Sequence, residues 1–235
     1  GAGRGLGLEF CRQLGAAGTR VILTTRNEAK GLAAVEKLAA EGINVSHLLL
    51  DDSDEESISL AAKAVESQHG KLDLLINNAG INSRSSGDQD TFLASVKLYM
   101  MDPQRILNMV QVNALGPALM VKHFLPLLAK GNKAKVMSIS SWLGSLHLKA
   151  NGGNYAYAVS KAALNMMGKA FSYDLQEQGV VSFLINPGWV QTDMGGMKAK
   201  ISPQDSVAGM LKVLKKSTLK DTAKFFQWDG SEHPW

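Results

Sequence analysis

The sequence predicts an α/β protein with a doubly wound parallel sheet, in which helices cover both faces of the sheet to form three layers. Two observations favour this fold class. Short β-rich runs alternate with longer helical patterns along the chain, and the runs are almost continuously apolar, which is typical of strands buried on both faces. Ligands of such sheets bind beyond the carboxyl ends of the strands, so we expect the functional residues there.

The alternation assigns the elements in order. The predicted strands are residues 20–25 (RVILTT), 44–50, 72–76 (LDLLI), 135–139 (KVMSI), 180–185 (VVSFLI) and 223–228 (AKFFQW). The predicted helices are residues 6–17, 28–41, 55–69, 106–128, 155–178 and 203–216. Residues 81–104 form the long irregular stretch. Because no repeat, low-complexity linker or composition shift divides the chain, we expect a single domain over residues 1–235 that carries both cofactor and substrate sites.

Composition excludes several other classes of protein. The chain is 45% hydrophobic and 20% charged with a net charge of +4, which is typical of a globular protein and not of a disordered or collagen-like one. The single cysteine, Cys11, cannot form an internal disulfide, and no leader or long apolar run is evident, so we expect a cytoplasmic protein without a membrane partner.

The positions of the lysines and histidines indicate whether the protein binds nucleic acid or a metal ion. The lysines concentrated in residues 198–224 lie on an amphipathic pattern that predicts a solvated helix face, so we expect no nucleic-acid partner. The five histidines show no spacing typical of metal ligands, and no metal site is predicted.

A glycine-rich segment, Gly1-Ala2-Gly3-Arg4-Gly5-Leu6-Gly7, runs directly into the first predicted helix. Glycines let the backbone turn sharply and let a pyrophosphate approach the positive end of a helix. The second predicted strand ends at Arg26, where NAD-binding proteins usually carry an acidic residue, whereas arginine suits the 2′-phosphate of NADP. Arg26, with Arg4 in the turn, therefore indicates NADP(H), although Arg26 at a strand end could also be an ordinary surface residue.

Tyr157 and Lys161 lie four residues apart in a predicted helix and so share a face. A neighbouring ammonium favours the phenolate, and we expect it to lower the pKa of Tyr157 and make the phenol a usable general acid or base. Since Tyr99, Tyr155 and Tyr173 have no lysine at this offset, Tyr157 alone qualifies.

Five motifs occur in an order that resembles the short-chain dehydrogenase/reductase family across essentially the whole chain. They are the glycine turn, Asn77-Asn78-Ala79-Gly80, Ser140-Ser141, Tyr157 with Lys161, and the segment 186–192 (NPGWVQT). Within that family, residues 151–157, 187–196 and 225–235 are most similar to the C-factor (C-signal) and sniffer-type carbonyl reductase branch. The resemblance implies a Rossmann-like fold and NADPH-dependent reduction of a small or medium carbonyl compound.

The resemblance also implies roles for individual residues. Tyr157 would be the proton donor, Lys161 would lower its pKa and hold the nicotinamide ribose, Ser141 would bind the substrate carbonyl, and Asn113 would support a water relay to the lysine. The expected cofactor-binding residues are Gly1, Arg4, Gly5, Leu6, Gly7, Arg26, Asp51, Asp52, Asn78, Ala79, Gly80, Tyr157, Lys161, Pro187, Gly188, Val190 and Thr192. Of these, Asp51 would meet the adenine and Thr192 the carboxamide.

Several positions leave alternatives open. Ser141 precedes Tyr157 by sixteen positions, about three more than the family usually has, and Ser140 competes with it because adjacent strand residues face opposite ways. Asp52 stands where the family more often has an apolar residue. Trp142 and Trp189 could line a substrate pocket or pack in the core, and Met194 and Met197 could form an adaptable lid or an ordinary surface loop.

The resemblance further implies association into a homodimer or homotetramer through helices 106–128 and 155–178. Its C-factor side also implies a rival function, in which the chain signals or interacts and the cofactor site is regulatory or vestigial. Finally, family members open with an apolar strand before the glycine turn, and this sequence begins at Gly1. We therefore expect a central strand to be missing from the sequence.

Overall fold

The structure, a computed structural model, describes residues 1–83 and 89–235, without the side chains of residues 89–91. In this part of the chain, strands and helices alternate as the apolar pattern predicts. The strands are β1 (Val21–Thr25), β2 (Val45–Leu49), β3 (Leu74–Asn77), β4 (Lys135–Ile139), β5 (Val181–Asn186) and β6 (Phe225–Gln227). The helices are α1 (Gly5–Ala16), α2 (Glu28–Ala40), α3 (Glu55–His69), α4 (Gln89–Val96), α5 (Pro103–Val110), α6 (Gly116–Ala129), α7 (Tyr155–Glu177) and α8 (Pro203–Lys216).

All strand pairs are parallel, which confirms the predicted fold class. The described strands form two sheets, one in the order β1-β2 and the other in the order β3-β4-β5-β6. Residues 1 and 2 contact the ends of both sheets, because Ala2 N–H donates to the Thr24 carbonyl at 2.9 Å and Asn78 Nδ2 donates to the Gly1 carbonyl at 2.6 Å. The carboxyl ends of β1 and β3 thus converge on the glycine turn.

Apolar side chains from the four-stranded sheet pack into helices on both of its faces. Val136 of β4 joins a cluster with Ile58 of α3 and Phe124 of α6, all buried. The next residue, Met137, points the other way and packs with Phe10 of α1 and Met210 of α8. Alternation of side chains along one strand therefore supplies both layers of the core.

The segment from α5 to α6 is helical throughout but changes its winding in the middle. Residues Gln111–Leu115 form a π-helical turn between the two α-helices. Single π-turns within α-helices are frequent at functional sites, and this one carries Asn113. Residues Pro103–Ala129 are long and apolar enough to cross a membrane by composition, but this stretch contacts α3 and α7, which is the packing of a core helix.

The structure differs from the sequence prediction mainly in the irregular stretch 81–104. Residues 89–96 form α4 and Leu98–Met100 form a short 3₁₀ turn, while residues 84–88 lie outside the described part of the chain. The predicted helix 106–128 begins three residues earlier, at Pro103, where Asp102 accepts hydrogen bonds from the N–H groups of Gln104 and Arg105. The predicted strand 223–228 is shorter, spanning Phe225–Gln227.

Candidate active site

The glycine turn leaves the N-terminus of α1 open. Side chains cap α2, α3, α5 and α8, through Asn27, Asp54, Asp102 and Ser202, but Arg4 makes no such hydrogen bond at the start of α1. Gly5 adopts φ +55°, and a Cβ on Gly7 would lie 2.2 Å from the Gly1 carbonyl oxygen. Both positions therefore require glycine, and the free N–H groups of α1 suit the pyrophosphate of a dinucleotide.

Charged residues follow the neighbouring strands β1 and β2 at the same edge. Arg26 comes directly after β1, is exposed, and makes no side-chain hydrogen bond within the described residues. Asp51 follows β2, and its Oδ1 accepts from the backbone N–H and hydroxyl of Ser53 at 2.9 and 2.6 Å. Burial acts to raise the pKa of Asp51, but the Ser53 hydrogen bonds and the charge of Arg26 outweigh it and lower that pKa overall.

Asp52 contacts α6 through its backbone, which does not explain why this residue is an aspartate. Its backbone carbonyl lies against Gly116, where a Cβ would come within 2.5 Å of the carbonyl oxygen, so Asp52 sits against the first turn of α6. Burial raises the pKa of its carboxyl group.

Asn78, Ala79 and Gly80 follow β3 and face the glycine turn on one side and the buried Asn113 of the π-turn and Lys161 of α7 on the other. The Asn78 side chain holds the Gly1 carbonyl, and Ala79 is the residue that Gly1 contacts. A Cβ on Gly80 would lie 3.3 Å from Asn113 Oδ1 and 3.8 Å from Lys161 Nζ. This segment therefore connects the predicted phosphate site to the predicted catalytic residues.

Tyr157 and Lys161 are buried on one face of the first turns of α7. The Lys161 ammonium donates to the Ile139 carbonyl at 2.8 Å and lies 5.8 Å from the centre of the Tyr157 ring. An ammonium has three donors, and Ile139 is the one acceptor within hydrogen-bond distance among the described residues. Lys161 can therefore donate further hydrogen bonds toward a ligand, such as ribose hydroxyls.

The pKa values of this pair are set by burial. Burial raises the pKa of Tyr157 to about 12, against an opposing hydrogen bond with Ser141, and burial lowers the pKa of Lys161 to about 8. The pKa of Tyr157 is thus raised and not lowered as expected, since burial disfavours the phenolate and the Lys161 ammonium is hydrogen-bonded to the Ile139 carbonyl instead of to the phenol. At neutral pH, Tyr157 therefore keeps its proton and can donate it.

Asn113 is fully buried in the π-turn and holds the backbone beside Tyr157. Its Oδ1 accepts from Ile81 N–H at 2.8 Å, and its Nδ2 donates to the Ile81 carbonyl and to Ser160 Oγ, both at 2.9 Å. Ser160 Oγ in turn donates to the Tyr157 carbonyl at 2.8 Å. Asn113 therefore connects the segment after β3, at Ile81, to the first turns of α7 beside Tyr157.

The structure resolves the choice between the two serines after β4. Ser140 Oγ donates to Asn165 Oδ1 at 2.5 Å, and Asn165 Nδ2 donates to the Gly144 carbonyl at 3.1 Å, so this hydroxyl is used within the fold. Ser141 Oγ accepts from Leu143 N–H at 3.2 Å and reaches Tyr157. Ser141 is therefore the serine whose hydroxyl faces the cavity.

A cavity of about 370 Å³ opens above these residues. Its walls include both tryptophans, Trp142 and Trp189, and the described lining contains no charged side chain. The lining residues are Leu6, Asn82, Ser140, Ser141, Trp142, Leu143, Asn154, Tyr157, Pro187, Gly188, Trp189, Val190, Thr192, Met194 and Gly195. Met197, by contrast, is 90% exposed, so of the two methionines only Met194 belongs to the cavity.

The loop after β5 forms one wall and is held by its own hydrogen bonds. Gly188 adopts φ +79° against Ile201 and Trp228. Thr192 Oγ1 accepts from Gly195 N–H at 3.1 Å, and Trp189 Nε1 donates to the Gly195 carbonyl at 2.8 Å. These bonds fix the direction of the residues between Thr192 and Gly195.

The glycine turn, the buried tyrosine–lysine pair and the serine beside the cavity agree with what sequence comparison finds. The family description "short chain dehydrogenase" matches residues 1–202. The chain belongs to the short-chain dehydrogenase family. Among curated relatives, it is 41% identical to C-signal of Myxococcus xanthus over 168 residues, which cover 71% of this chain and 94% of that protein. It is 30% identical to carbonyl reductase (NADPH) 1 of Bos taurus, over 87% of this chain and 85% of that protein.

Solved structures of other short-chain dehydrogenases agree. An NADPH-bound carbonyl reductase from chicken fatty liver superposes with a TM-score of 0.88 at 33% identity, covering 100% of this chain and 96% of that one. The carbonyl reductase Sniffer of Drosophila melanogaster also has a TM-score of 0.88, at 30% identity, covering 100% and 97%. The predicted resemblance to the C-signal and sniffer-type branch of the short-chain dehydrogenase family is confirmed.

Sequence reasoning about this short-chain dehydrogenase missed two residues. Ser160 was not singled out, although its position three residues after Tyr157 on a helix is a signal for a contact with the Tyr157 turn. Asp193 was also not singled out, and it pairs with Arg4, whose Nη1 donates to Asp193 Oδ2 at 2.6 Å. No periodicity predicts that contact, because the two residues are 189 positions apart.

Proposed function

We propose that this chain is an NADPH-dependent oxidoreductase that reduces a small or medium carbonyl compound reversibly to an alcohol. The observation that carries the proposal is the convergence of Ser141, Tyr157, Lys161 and Asn113 at one end of a cavity whose described lining has no charged side chain. Relatives described as NADPH-dependent or NADPH-bound carbonyl reductases support the cofactor and the reaction class. We further propose that one domain carries both sites.

The residues present fit NADP(H). The open N-terminus of α1 with Gly1, Gly5, Leu6 and Gly7 would hold the pyrophosphate, and Arg4 with Arg26 would bind the 2′-phosphate. Asp51 and Asp52 would border the adenine, Asn78 to Gly80 the adjoining ribose, and Lys161 the nicotinamide ribose. Pro187, Gly188, Val190 and Thr192 would border the nicotinamide. When bound, NADPH supplies the hydride that adds to the carbonyl carbon.

Residues of the protein would stabilise the negative charge that develops on the substrate oxygen and would protonate it. Tyr157, protonated at neutral pH, donates its hydroxyl proton to that oxygen as negative charge develops. Ser141 provides a second hydrogen bond to the same oxygen, in a cavity whose described lining has no charged side chain. Lys161 and the Asn113 network hold the start of α7 in place, and, as the resemblance implies, Asn113 would support a water relay to Lys161 through which Tyr157 regains a proton.

The lining of the cavity indicates which class of substrate fits. Because the described lining has no charged side chain, an uncharged carbonyl compound fits better than a carboxylate, which would be buried without a partner. The half-exposed indoles of Trp142 and Trp189 at the cavity offer flat apolar surfaces.

Two measurements test the proposal. NADPH fluorescence titrated with the protein reports binding, and a panel of uncharged and charged carbonyl compounds reports turnover. We expect Tyr157→Phe to lower turnover about 100-fold or more with NADPH binding unchanged, while the control Tyr99→Phe, at an exposed tyrosine, behaves as wild type. Normal turnover by Tyr157→Phe would contradict the mechanism.

A second candidate function comes from the similarity to C-signal. In that case the chain would act in signalling or interaction, with a regulatory or vestigial cofactor site. NADPH binding without turnover of any compound in the panel would favour this candidate. The buried Ser141, Tyr157, Lys161 and Asn113 favour the reductase, since a structural domain has no physical need for all four.

We also propose that the chain associates into a homodimer or homotetramer through α5 and α7. Val159, Met166 and Tyr173 are exposed on α7 at seven-residue spacing, which places them in one apolar stripe, and Leu107 is exposed on α5. Light scattering should give the mass of an oligomer, and Met166→Glu should lower it, whereas a monomeric wild type would contradict this proposal.

A further inference from the structure

Met194 contacts the hydroxyl group that the proposed reaction depends on. The Tyr157 O–H donates to Met194 Sδ at 4.0 Å, and both residues line the cavity. A thioether sulfur is a weak acceptor, so a substrate carbonyl can displace it from the phenol. The sulfur therefore lies beside the phenol, in the same cavity that a substrate carbonyl would have to enter.

The loop holds Met194 in this position from both sides. On one side, Asp193 pairs with Arg4 at 2.6 Å. On the other, Gly195 is bonded through its N–H to Thr192 Oγ1 and through its carbonyl to Trp189. With both neighbours fixed, the Met194 side chain is directed toward Tyr157 and has partial access to solvent through the open cavity.

We propose that Met194 is an oxidation site at which a peroxide switches off the reductase, because the sulfoxide oxygen occupies the hydrogen-bonding position of the substrate carbonyl on Tyr157. This inference rests on the proposed function. In the oxidation step, the Met194 sulfur attacks one peroxide oxygen, the O–O bond breaks, and an S–O bond forms. With hydrogen peroxide, the sulfur is oxidised by two electrons and the second oxygen leaves as water.

Oxidation would inhibit the enzyme because it replaces the weakly accepting sulfur of Met194 by a strongly accepting sulfoxide oxygen. A sulfoxide oxygen that points toward the phenol is one bond closer to it than the sulfur, and it is a polar acceptor in a cavity whose described lining has no charged side chain. Hydrogen bonds in such surroundings are stronger than in water. Because Tyr157 keeps its proton at neutral pH, it donates to this oxygen, and a substrate must then compete with an intramolecular partner.

Other oxidisable residues provide internal controls. Met197 is 90% exposed and does not line the cavity, so its oxidation should leave turnover unchanged. The one cysteine, Cys11, is buried, and burial raises the pKa of its thiol to about 11, which leaves little reactive thiolate. Inactivation by peroxide is therefore attributable to methionine.

The test is a hydrogen peroxide titration of the full chain, with peptide mass spectrometry at each methionine and turnover at each point. We expect kcat/KM to fall at least tenfold in proportion to Met194 sulfoxide, and methionine sulfoxide reductases to restore it. The activity of Met194→Leu should stay at its value before peroxide was added throughout the titration, whereas Met197→Leu should lose activity as wild type does. Met194→Gln, which places an amide oxygen near Tyr157, should lower kcat/KM without peroxide.

Two results would overturn the inference while leaving the proposed function intact. One is full conversion of Met194 to sulfoxide with unchanged turnover, and the other is inactivation of Met194→Leu as fast as wild type. A reduced wild-type protein that binds NADPH but turns over no carbonyl compound overturns the proposed function, and the inhibitory role of Met194 with it.

Discussion

The Arg4 guanidinium and the Asp193 carboxylate form an ion pair of 2.6 Å that joins the glycine turn before α1 to the loop after β5. Both side chains are largely exposed. Arg4 is also a residue expected to bind the 2′-phosphate of the cofactor, so in the proposed enzyme the phosphate and Asp193 compete for one guanidinium.

This competition predicts that Asp193→Asn binds NADPH more tightly. Exposed ion pairs contribute up to about 1 kcal/mol, so releasing Arg4 should lower the NADPH dissociation constant by up to about fivefold. NADH, which lacks the 2′-phosphate, should bind unchanged. Fluorescence titration of both nucleotides measures this, with Asp174→Asn at an exposed position of α7 as the control. Equal tightening for NADH would show that the pair does not act through the phosphate.

Arg26 should set the preference for NADPH over NADH. It follows β1 and has no side-chain hydrogen bond within the described residues, so its donors are free for a phosphate. We expect Arg26→Asp to weaken NADPH binding about tenfold or more, because the 2′-phosphate loses a charge-assisted hydrogen-bond donor and meets a carboxylate of its own charge. The same change should improve the binding of NADH. Arg20→Asp, at the opposite end of β1, is the charge-matched control, and an unchanged ratio of kcat/KM values for the two nucleotides would refute the role.

The two serines after β4 should give opposite phenotypes. Ser141→Ala removes a donor to the substrate oxygen, so we expect kcat to fall about 100-fold with little change in Tm. Ser140→Ala leaves the buried Asn165 Oδ1 without its hydrogen-bond donor, so we expect the free energy of unfolding to fall by about 1–3 kcal/mol. Steady-state kinetics and urea unfolding of both variants separate the roles, and the reverse assignment of phenotypes would refute them.

The fold was largely predictable because buried parallel strands have a strong sequence signal. The run 135–139 is a strand at those bounds, and residues 55–69 and 203–216 are helices at theirs. The helix α4 was missed because its polar residues carry no clear apolar periodicity. The early start at Pro103 depends on the Asp102 cap, which is a local signal outside the periodic pattern.

The candidate site was less predictable because its chemistry depends on distances. Motif spacing located Tyr157 and Lys161, but the rise in the pKa of Tyr157 follows from its burial, which spacing cannot give. In the same way, the choice of Ser141 over Ser140 follows from the position of Asn165 on α7, which alternation along a strand cannot give.

The buried ammonium of Lys161 predicts how stability depends on pH. Burial lowers its pKa from 10.5 to about 8 in the folded protein, so between pH 8 and 10.5 the unfolded chain binds more protons than the folded one. The free energy of unfolding therefore rises with pH across this window. Below pH 8 and above pH 10.5, Lys161 has the same charge in the folded and unfolded states, so it adds no pH dependence there. From pH 7.5 to 9.5 we expect a gain of roughly 2 kcal/mol from this residue.

Urea unfolding at pH 7.5 and 9.5 of wild type and Lys161→Met measures this contribution, because the variant lacks the titrating group and should lose the gain. Lys63→Met, at an exposed lysine of α3, should keep it. The pKa of Tyr157 is raised to about 12, so its own effect begins only above pH 10, where it lowers stability as pH rises. Equal pH dependence in wild type and Lys161→Met would mean that the folded protein does not hold this ammonium in a desolvated site.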